Sequence, residues 1–415
     1  MKILASATQL ERIYPEFPAE EYKARNKTAR EVMKKQGIDA LFITAKENIE
    51  YFTGYISGYW KPTAIDNVGV GIIPHDDEPL LVIPDFLRGT AERTAWVRKI
   101  RDHHDTHRKP RDFAGVIANA FVGLGLSKGI IGYETGPELS IGMPLVDFEA
   151  VRGALCGAKF VSGSDAIWAC RSHKSPLEVE RLEKANAITF KGYDEARRTV
   201  KAGMTEKEIA RVFQSVFIKE GGDAYRPNGL GFFNIRAGEE RYPMADSIPQ
   251  ERELQKGDVL SLNLGAVYRG YKGHTARYAF VGDPTEKHWK VDRLMKCVRD
   301  AIVEFLKPGL TGSDFHRYVH AVVANADLDL SGFESHIESP VGGICTGLNV
   351  HEHPRIAVGL KECTEARMCI TMTTWLYDLK PGGLGVFSWE HPFIITESGN
   401  RPLVGSHLEE ETWVI

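Results

Sequence analysis

Three side chains in the second half of the chain, His274, His351 and Glu390, are of the types that move protons. A histidine titrates near neutral pH and serves as acid or base without special tuning. A glutamate in a pocket is costly without a partner, so Glu390 must pair with a cation or a histidine, or hold a proton of its own. His274 lies in Lys256–Phe280, KGDVLSLNLGAVYRGYKGHTARYAF. Val259–Leu264 alternates apolar and polar residues and ends at Gly265, the pattern of a half-buried strand. Tyr268-Arg269-Gly270-Tyr271 is a turn or bulge, with glycine supplying the φ > 0 position. Thr275–Phe280 is the return strand. The spacing therefore predicts a hairpin that aims Asn263, His274 and Arg277 at one place, with Arg277 also a possible counter-ion for Glu390. Asp246 could orient a histidine or take a proton; within Ala245-Asp246-Ser247 it could equally cap a turn.

The elements around these residues follow from periodicity and stop signals. Glu20–Gly37 is a charged amphipathic helix ending in glycine. Ala40–Thr44, Val68–Ile73, Leu80–Ile83 and Ile130–Tyr133 are strand candidates, and Arg88–Ile100 and Asp112–Leu124 are helical candidates. Residues 1–165 thus form a small α/β domain with a mixed sheet. Ser175-Pro176 opens a long helix over Leu177–Ala202, and Thr205 with Glu208 forms a capping box for a second, to Glu220. Strands to Phe280, a helical pair near His288–Leu306 and Gly312–Ala326, and terminal strands make residues 166–415 a second, α+β domain. Aromatic and glycine residues interleave in Tyr51–Pro62, where Tyr55, Trp60 and Lys61 suit either an Ω-type loop or a binding lip that meets an anion.

Composition narrows the partners. The chain has 415 residues, a formal net charge of −4 and 43% hydrophobic residues. It carries no basic field for nucleic acid or anionic membranes. No apolar run approaches the ~18 residues of a spanning helix, and the N-terminal stretch has no h-region. Six cysteines without CxxC or CxxH spacing fit reduced thiols of a cytoplasmic protein.

Four signatures, in order, resemble the pita-bread superfamily (peptidase M24), which contains methionine aminopeptidase, aminopeptidase P, prolidase and creatinase. RSHKSPLEVE (Arg171–Glu180) is similar to the family's entry into its catalytic domain. LQKGDVL (Leu254–Leu260) is similar to the approach to its first metal-binding strand. GLNVHEHP (Gly347–Pro354) resembles G-[LIVM]-x-x-H-E-x-P, and WEHP (Trp389–Pro392) followed by ITESG resembles the terminal Glu strand. Asn48–Gly54 further resembles the two-domain prolidase and creatinase branch. The resemblance implies a creatinase-type N-terminal α/β domain, residues 1–165, followed by a pita-bread catalytic domain, residues 166–415.

The resemblance also implies a site, and the chain departs from it. Peptidase members hold two metal ions with Asp, Asp, His, Glu and Glu, because two close dications need anions between them. Aligned on the signatures, those positions are Asn263, His274, Ile344, Thr373 and Glu390. The loss of charge predicts that no metal and no cofactor is held, a single ion on His274 and Glu390 being the residual alternative. Creatinase, a metal-free relative, is similar at Ser261-Leu262-Asn263 and at Glu390, although its second clamping Glu falls at Ala276 and its catalytic His at Asp246. Trp375, Tyr377 and Trp389 flank the same positions, either filling the vacated volume or boxing a cationic group.

The expectation is therefore a metal-independent, creatinase-like hydrolase of a C–N bond in a small charged substrate. Its acid–base residues would be His274, His351, Glu390 and Asp246; Asn263, Arg277, Thr373, Trp375 and Trp389 would bind substrate. As in creatinase, a homodimer would let the Tyr55–Lys61 loop close the neighbouring site. A lyase acting by β-elimination and a non-catalytic binding protein are the alternatives, with a metallo-Xaa-Pro peptidase behind them. Convergence of His274, His351 and Glu390 separates catalysis from mere binding: side chains more than ~10 Å apart could not share a proton.

Overall fold

The computed structural model describes residues 16–58, 69–104, 112–225, 229–241, 247–326, 342–379, 382–408 and 411–415. It divides into two compact units, the first ending at Arg171 and the second running from Ser172 to Ile415. Among the described residues no helix is long and apolar enough to cross a membrane.

In the first unit, α1 (Ala19–Gln36) ends at Gly37 in the left-handed region, as the glycine stop predicts. It is followed by β1 (Ala40–Ile43), α2 (Lys46–Thr53), β2 (Val70–Pro74) and β3 (Leu80–Pro84). Then come α3 (Arg88–Thr94), β4 (Lys99–His103), α4 (Phe113–Gly123), β5 (Ile130–Tyr133), α5 (Leu145–Ala154), β6 (Lys159–Ser162) and α6 (Ser164–Arg171). The strands form a mixed six-stranded sheet in the order β4-β3-β2-β1-β5-β6. Two local expectations fail here. The helix expected over Arg88–Ile100 stops at Thr94, and Lys99–His103 pairs in parallel with β3 instead. Tyr51–Thr53 belongs to α2, which Gly54 closes at φ 71°.

The second unit begins with α7 (Pro176–Thr199) and α8 (Glu206–Lys219), each opened by a capping box, from Ser175 and Glu178 and from Thr205 and Glu208. β7 (Gly231–Ala237), β8 (Val259–Tyr268), β9 (Tyr271–Lys272) and β10 (Thr275–Phe280) follow, then α9 (Glu286–Phe305) and α10 (Gly312–Asn325). The chain closes with β11 (Gly342–Cys345), β12 (Glu352–Ile356), β13 (Cys369–Asp378), β14 (Gly385–Ile395), β15 (Asn400–Pro402) and β16 (Trp413–Val414). These make a ten-stranded sheet along the order β12-β11-β13-β14-β10-β8-β7, with β9, β15 and β16 pairing at its sides.

One face of that sheet is apolar and packed under helices. Leu260, Leu262 and Leu264 of β8 join Ile188, Phe190, Phe213 and Phe217 of α7 and α8 in one core. Ile370, Met372 and Leu376 of β13 join Phe387, Trp389 and Phe393 of β14 under α9 and α10 in another. Strand side chains alternate, so the residues between these point to the other face. That face is where the polar residues stand.

Candidate active site

Register alone assembles the site. Asn263 of β8 pairs with Ala276 of β10, Ala276 pairs with Glu390 of β14, and Glu390 pairs with Thr373 of β13. Directly paired residues share a face, and so do residues two apart in one strand. His274, Trp375 and Asn234 therefore join Asn263, Thr373 and Glu390. Together with Phe232, Ile344, Val350, His351, Arg355 and Tyr377 they line a cavity of about 710 Å³, a volume suited to a small-molecule ligand.

At its floor Glu390 is 3% exposed and accepts four hydrogen bonds. Oε2 receives His274 Nε2 at 2.8 Å and Asn263 Nδ2 at 3.1 Å. Oε1 receives the Trp375 indole at 2.8 Å and the Thr373 hydroxyl at 3.1 Å. Burial alone would push this carboxyl up. The His274 imidazole, with the Trp375 and Thr373 bonds, outweighs burial and holds it below the usual carboxylate range. An ionised carboxylate only accepts, so the hydrogen of this pair sits on His274 Nε2. In the neutral ring Nδ1 then carries a lone pair. His274 Nδ1 and Asn263 Oδ1 are buried and have no protein hydrogen-bond partner, an arrangement natural proteins rarely leave without a ligand or water. The His351 ring lies 6.0 Å from that of His274, centroid to centroid, and Phe232 meets His274 edge-on at 5.5 Å.

Six of the residues singled out from the sequence thus converge: Asn263, His274, His351, Thr373, Trp375 and Glu390. Two do not. Arg277 and Trp389 are on the helix-packed face, one residue out of phase with Ala276 and Glu390. Arg277 donates to the backbone carbonyls of Ala276, Glu390 and His407 and to His391 Nδ1, not to the Glu390 carboxylate. Its guanidinium also lies 6.0 Å from the Trp389 ring. The face of Trp375 meets the Arg236 guanidinium at 5.4 Å, so the aromatic box for a cationic ligand is already filled by arginines. Tyr55 is fully buried within the first unit, and burial raises its pKa; it is core, not a lip. Trp60, Lys61 and Asp246 lie outside the described residues. Phe232, Asn234, Val350 and Arg355 were not anticipated. For Arg355 a signal existed, since it follows HEHP directly and pairs with Ile344 across β11 and β12.

The five positions of the two-ion centre can now be tested as donors. Ile344 offers none, Asn263 and Thr373 are neutral, and both oxygens of Glu390 are taken by protein hydrogens. Among the described residues no group of three or more His, Cys, Asp or Glu could hold a metal ion. The residues present do not fit the two-ion centre.

A two-unit α+β protein with this sheet, and with a site at these register positions, is of the pita-bread class. The chain matches the model of metallopeptidase family M24 over residues 180–397 and that of the creatinase/prolidase N-terminal domain over residues 25–173. It belongs to family M24. An uncharacterised peptidase of Bacillus subtilis is 23% identical over 92% of this chain and 97% of its own length. A Xaa-Pro dipeptidase of Pyrococcus furiosus is 24% identical over 91% and 96%. In structure, a Xaa-Pro dipeptidase from Bacillus anthracis superposes with a TM-score of 0.78 at 20% identity, covering 95% of this chain and all of that one. These relatives are named as peptidases. They contradict the expectation of a metal-independent, creatinase-like hydrolase of a non-peptide C–N bond, and nothing among them supports a lyase. The altered ligand set stands beside this membership as a property of the chain.

Proposed function

We propose that the chain hydrolyses the amide bond of small, dipeptide-sized substrates in the cavity of its second unit. The observation that carries this reading is the His274–Glu390 pair: a buried imidazole fixed at Nε2 by an ionised carboxylate, with Nδ1 buried and without a protein partner, in a residue that lines the cavity. Such a dyad takes a proton from water, much as a carboxylate-held histidine activates a hydroxyl elsewhere. Water attacks the carbonyl carbon while His274 Nδ1 accepts its proton. His351, whose ring lies 6.0 Å from that of His274, donates to the carbonyl oxygen as charge develops there. When the C–N bond breaks, the proton on His274 passes to the leaving nitrogen. Asn263, Thr373 and Trp375 hold Glu390 in place and ionised, so that the imidazolium formed in the transition state is stabilised.

Xaa-Pro dipeptides are the substrates to test first, because two of the named relatives carry that activity in their names. Amino-acid release would be followed over a panel of Xaa-Pro and other dipeptides, with and without added divalent ions. The expected result is turnover of some dipeptides that H274A lowers by at least ~10²-fold, the lower range for losing general acid–base catalysis. Wild-type turnover of no dipeptide under either condition, or an H274A variant as fast as wild type, would overturn the reading.

A further inference from the structure

We infer that Lys174 is a positioning residue for His351: its buried ion pair with Glu352 sets the turn that carries His351 into the cavity. This rests on the role given above to His351.

Lys174 belongs to the RSHKSP segment at the head of the second unit, far in sequence from the site. Its Nζ lies 3.0 Å from Glu352 Oε2, and both side chains are 1% exposed. Burial pulls the ammonium toward neutrality, but Glu352 and the other acidic groups nearby more than offset it, and the pKa rises. The adjacent thiols do not compete for it, since burial pushes Cys345 up to about 12 and Cys369 up to about 11. Lys174 is therefore a fixed cation inside the protein, and such a charge is tolerated only with its partner in place.

That partner organises the turn. The other oxygen of Glu352 accepts the backbone N–H of Asn349 at 3.2 Å. Gly347 passes so close that a Cβ there would stand 2.5 Å from Glu352 Oε2. Gly347 in turn donates to the Asn349 carbonyl at 3.0 Å and accepts from Lys272 at 2.9 Å. Register between β11 and β12 shifts at Ile344 and Cys345, so that Cys345 faces Glu352. Everything from Thr346 to His351 is thus a loop drawn around the Glu352 carboxylate. His351 is the residue immediately before it, and is itself solvent-exposed. Its backbone is the end of that turn, so the placement of its ring 6.0 Å from that of His274 follows the turn's conformation. The Ser172 hydroxyl, two residues before Lys174, donates to the His353 carbonyl at 2.8 Å and ties down the other side.

The test compares K174M, E352M and the double variant K174M/E352M. Single variants strand one buried charge and are expected to lose stability. The double variant removes both charges at similar volume, which often restores or exceeds the original stability. The expected result is a double variant with wild-type Tm whose dipeptide kcat stays down roughly 10–100-fold while KM moves less, because a displacement near 1 Å of a catalytic group costs about that much. In parallel, side-chain 15N spectra would follow the His351 imidazole, assigned with H351Q; its resonances should shift in the double variant while those of His391 stay. A stable double variant that turns over dipeptides within twofold of wild type would overturn the inference. So would unchanged His351 resonances, and this second readout needs no substrate. Should no dipeptide be turned over by wild type, the hydrolase reading falls and the spectra alone decide the placement of His351. Should the double variant fail to fold, the same spectra on K174R, which keeps the charge but changes its reach, decide: a shifted His351 supports the inference and an unshifted one overturns it.

Discussion

His274 and Glu390 meet diagonally across two adjacent strands, at 2.8 Å between Nε2 and Oε2. The residue facing Glu390 directly is Ala276, whose methyl leaves room for the imidazole two residues back to lean over it. Diagonal neighbours on one face of an antiparallel pair are within reach of long or aromatic side chains. His274 is held at its own backbone as well, where its N–H donates to Asn186 Oδ1 at 3.1 Å. The residue is thereby held at its backbone from α7 and at its ring from β14.

Glu390 serves as acceptor on both oxygens, so E390Q is more than the loss of a charge. A glutamine in this place presents an NH2 to one of two pairs of donors, either His274 with Asn263 or Trp375 with Thr373. Donor then faces donor in a buried setting. E390Q should lower stability by about 1–3 kcal/mol and dipeptide kcat/KM by at least ~10²-fold. Urea denaturation and steady-state kinetics give the two numbers. A variant that loses stability but keeps its kcat would show the carboxylate to be structural only.

Much of the site was legible in the sequence, and the errors lie where strand phase, burial and pairing decide. Asn263 and Glu390 followed from the family signatures, and His274 from its place in the hairpin. Arg277 was wrongly sent to the same face although it is three residues from His274, an odd separation that a strand resolves to opposite faces. Trp389, adjacent to Glu390, fails for the same reason. The strand ending assigned to Gly265 was early. β8 continues to Tyr268 because it is buried on both sides and pairs with β7 and β9 beyond that point, and a doubly buried strand loses its alternation. Phe232 and Asn234 were hidden because their placement depends on cross-strand register, which no local pattern encodes. The early stop of the α3 helix is similar: parallel pairing of Lys99–His103 with β3 overrides local helical preference.

Gly265 makes a separate prediction. A Cβ there would stand 1.8 Å from the Gly273 carbonyl oxygen, and this is backbone, which cannot rotate away. Gly273 also donates to Ala266 at 2.8 Å, so the two chains are locked where β10 begins and His274 follows. G265A should therefore cost a few kcal/mol, in the range of strong overpacking, and should displace His274. The expected outcome is a Tm lowered by several degrees together with activity reduced further than stability explains at 20 °C below that Tm. An unchanged Tm would mean that the strands separate more easily than their geometry implies.

His391 offers the clearest dependence of stability on pH. It is fully buried on the helix-packed face, takes a hydrogen bond at Nδ1 from Arg277 Nη2 at 3.0 Å, and donates from Nε2 to the Val404 carbonyl at 3.0 Å. Both bonds require the neutral ring. Burial, and then the Arg277 charge, hold its pKa well below the ordinary 6.5. Between that ordinary value and the depressed one the unfolded chain binds a proton that the folded chain refuses, so folding stability rises with pH there. The contribution is complete above about pH 6.5 and is lost as pH falls through the window, at no more than about 1.4 kcal/mol per pH unit. Glu390, also depressed, adds a loss of the same sign, but only below its ordinary value of 4.5. H391Q can keep both hydrogen bonds and cannot titrate. Its unfolding free energy, measured by urea at pH 8, 7, 6 and 5, should start about 1 kcal/mol below wild type from imperfect fit and then fall less steeply, so that the two curves approach or cross near pH 5. Parallel curves would show that His391 is protonated in the folded protein, and the Arg277 bond to its ring could not then be as drawn.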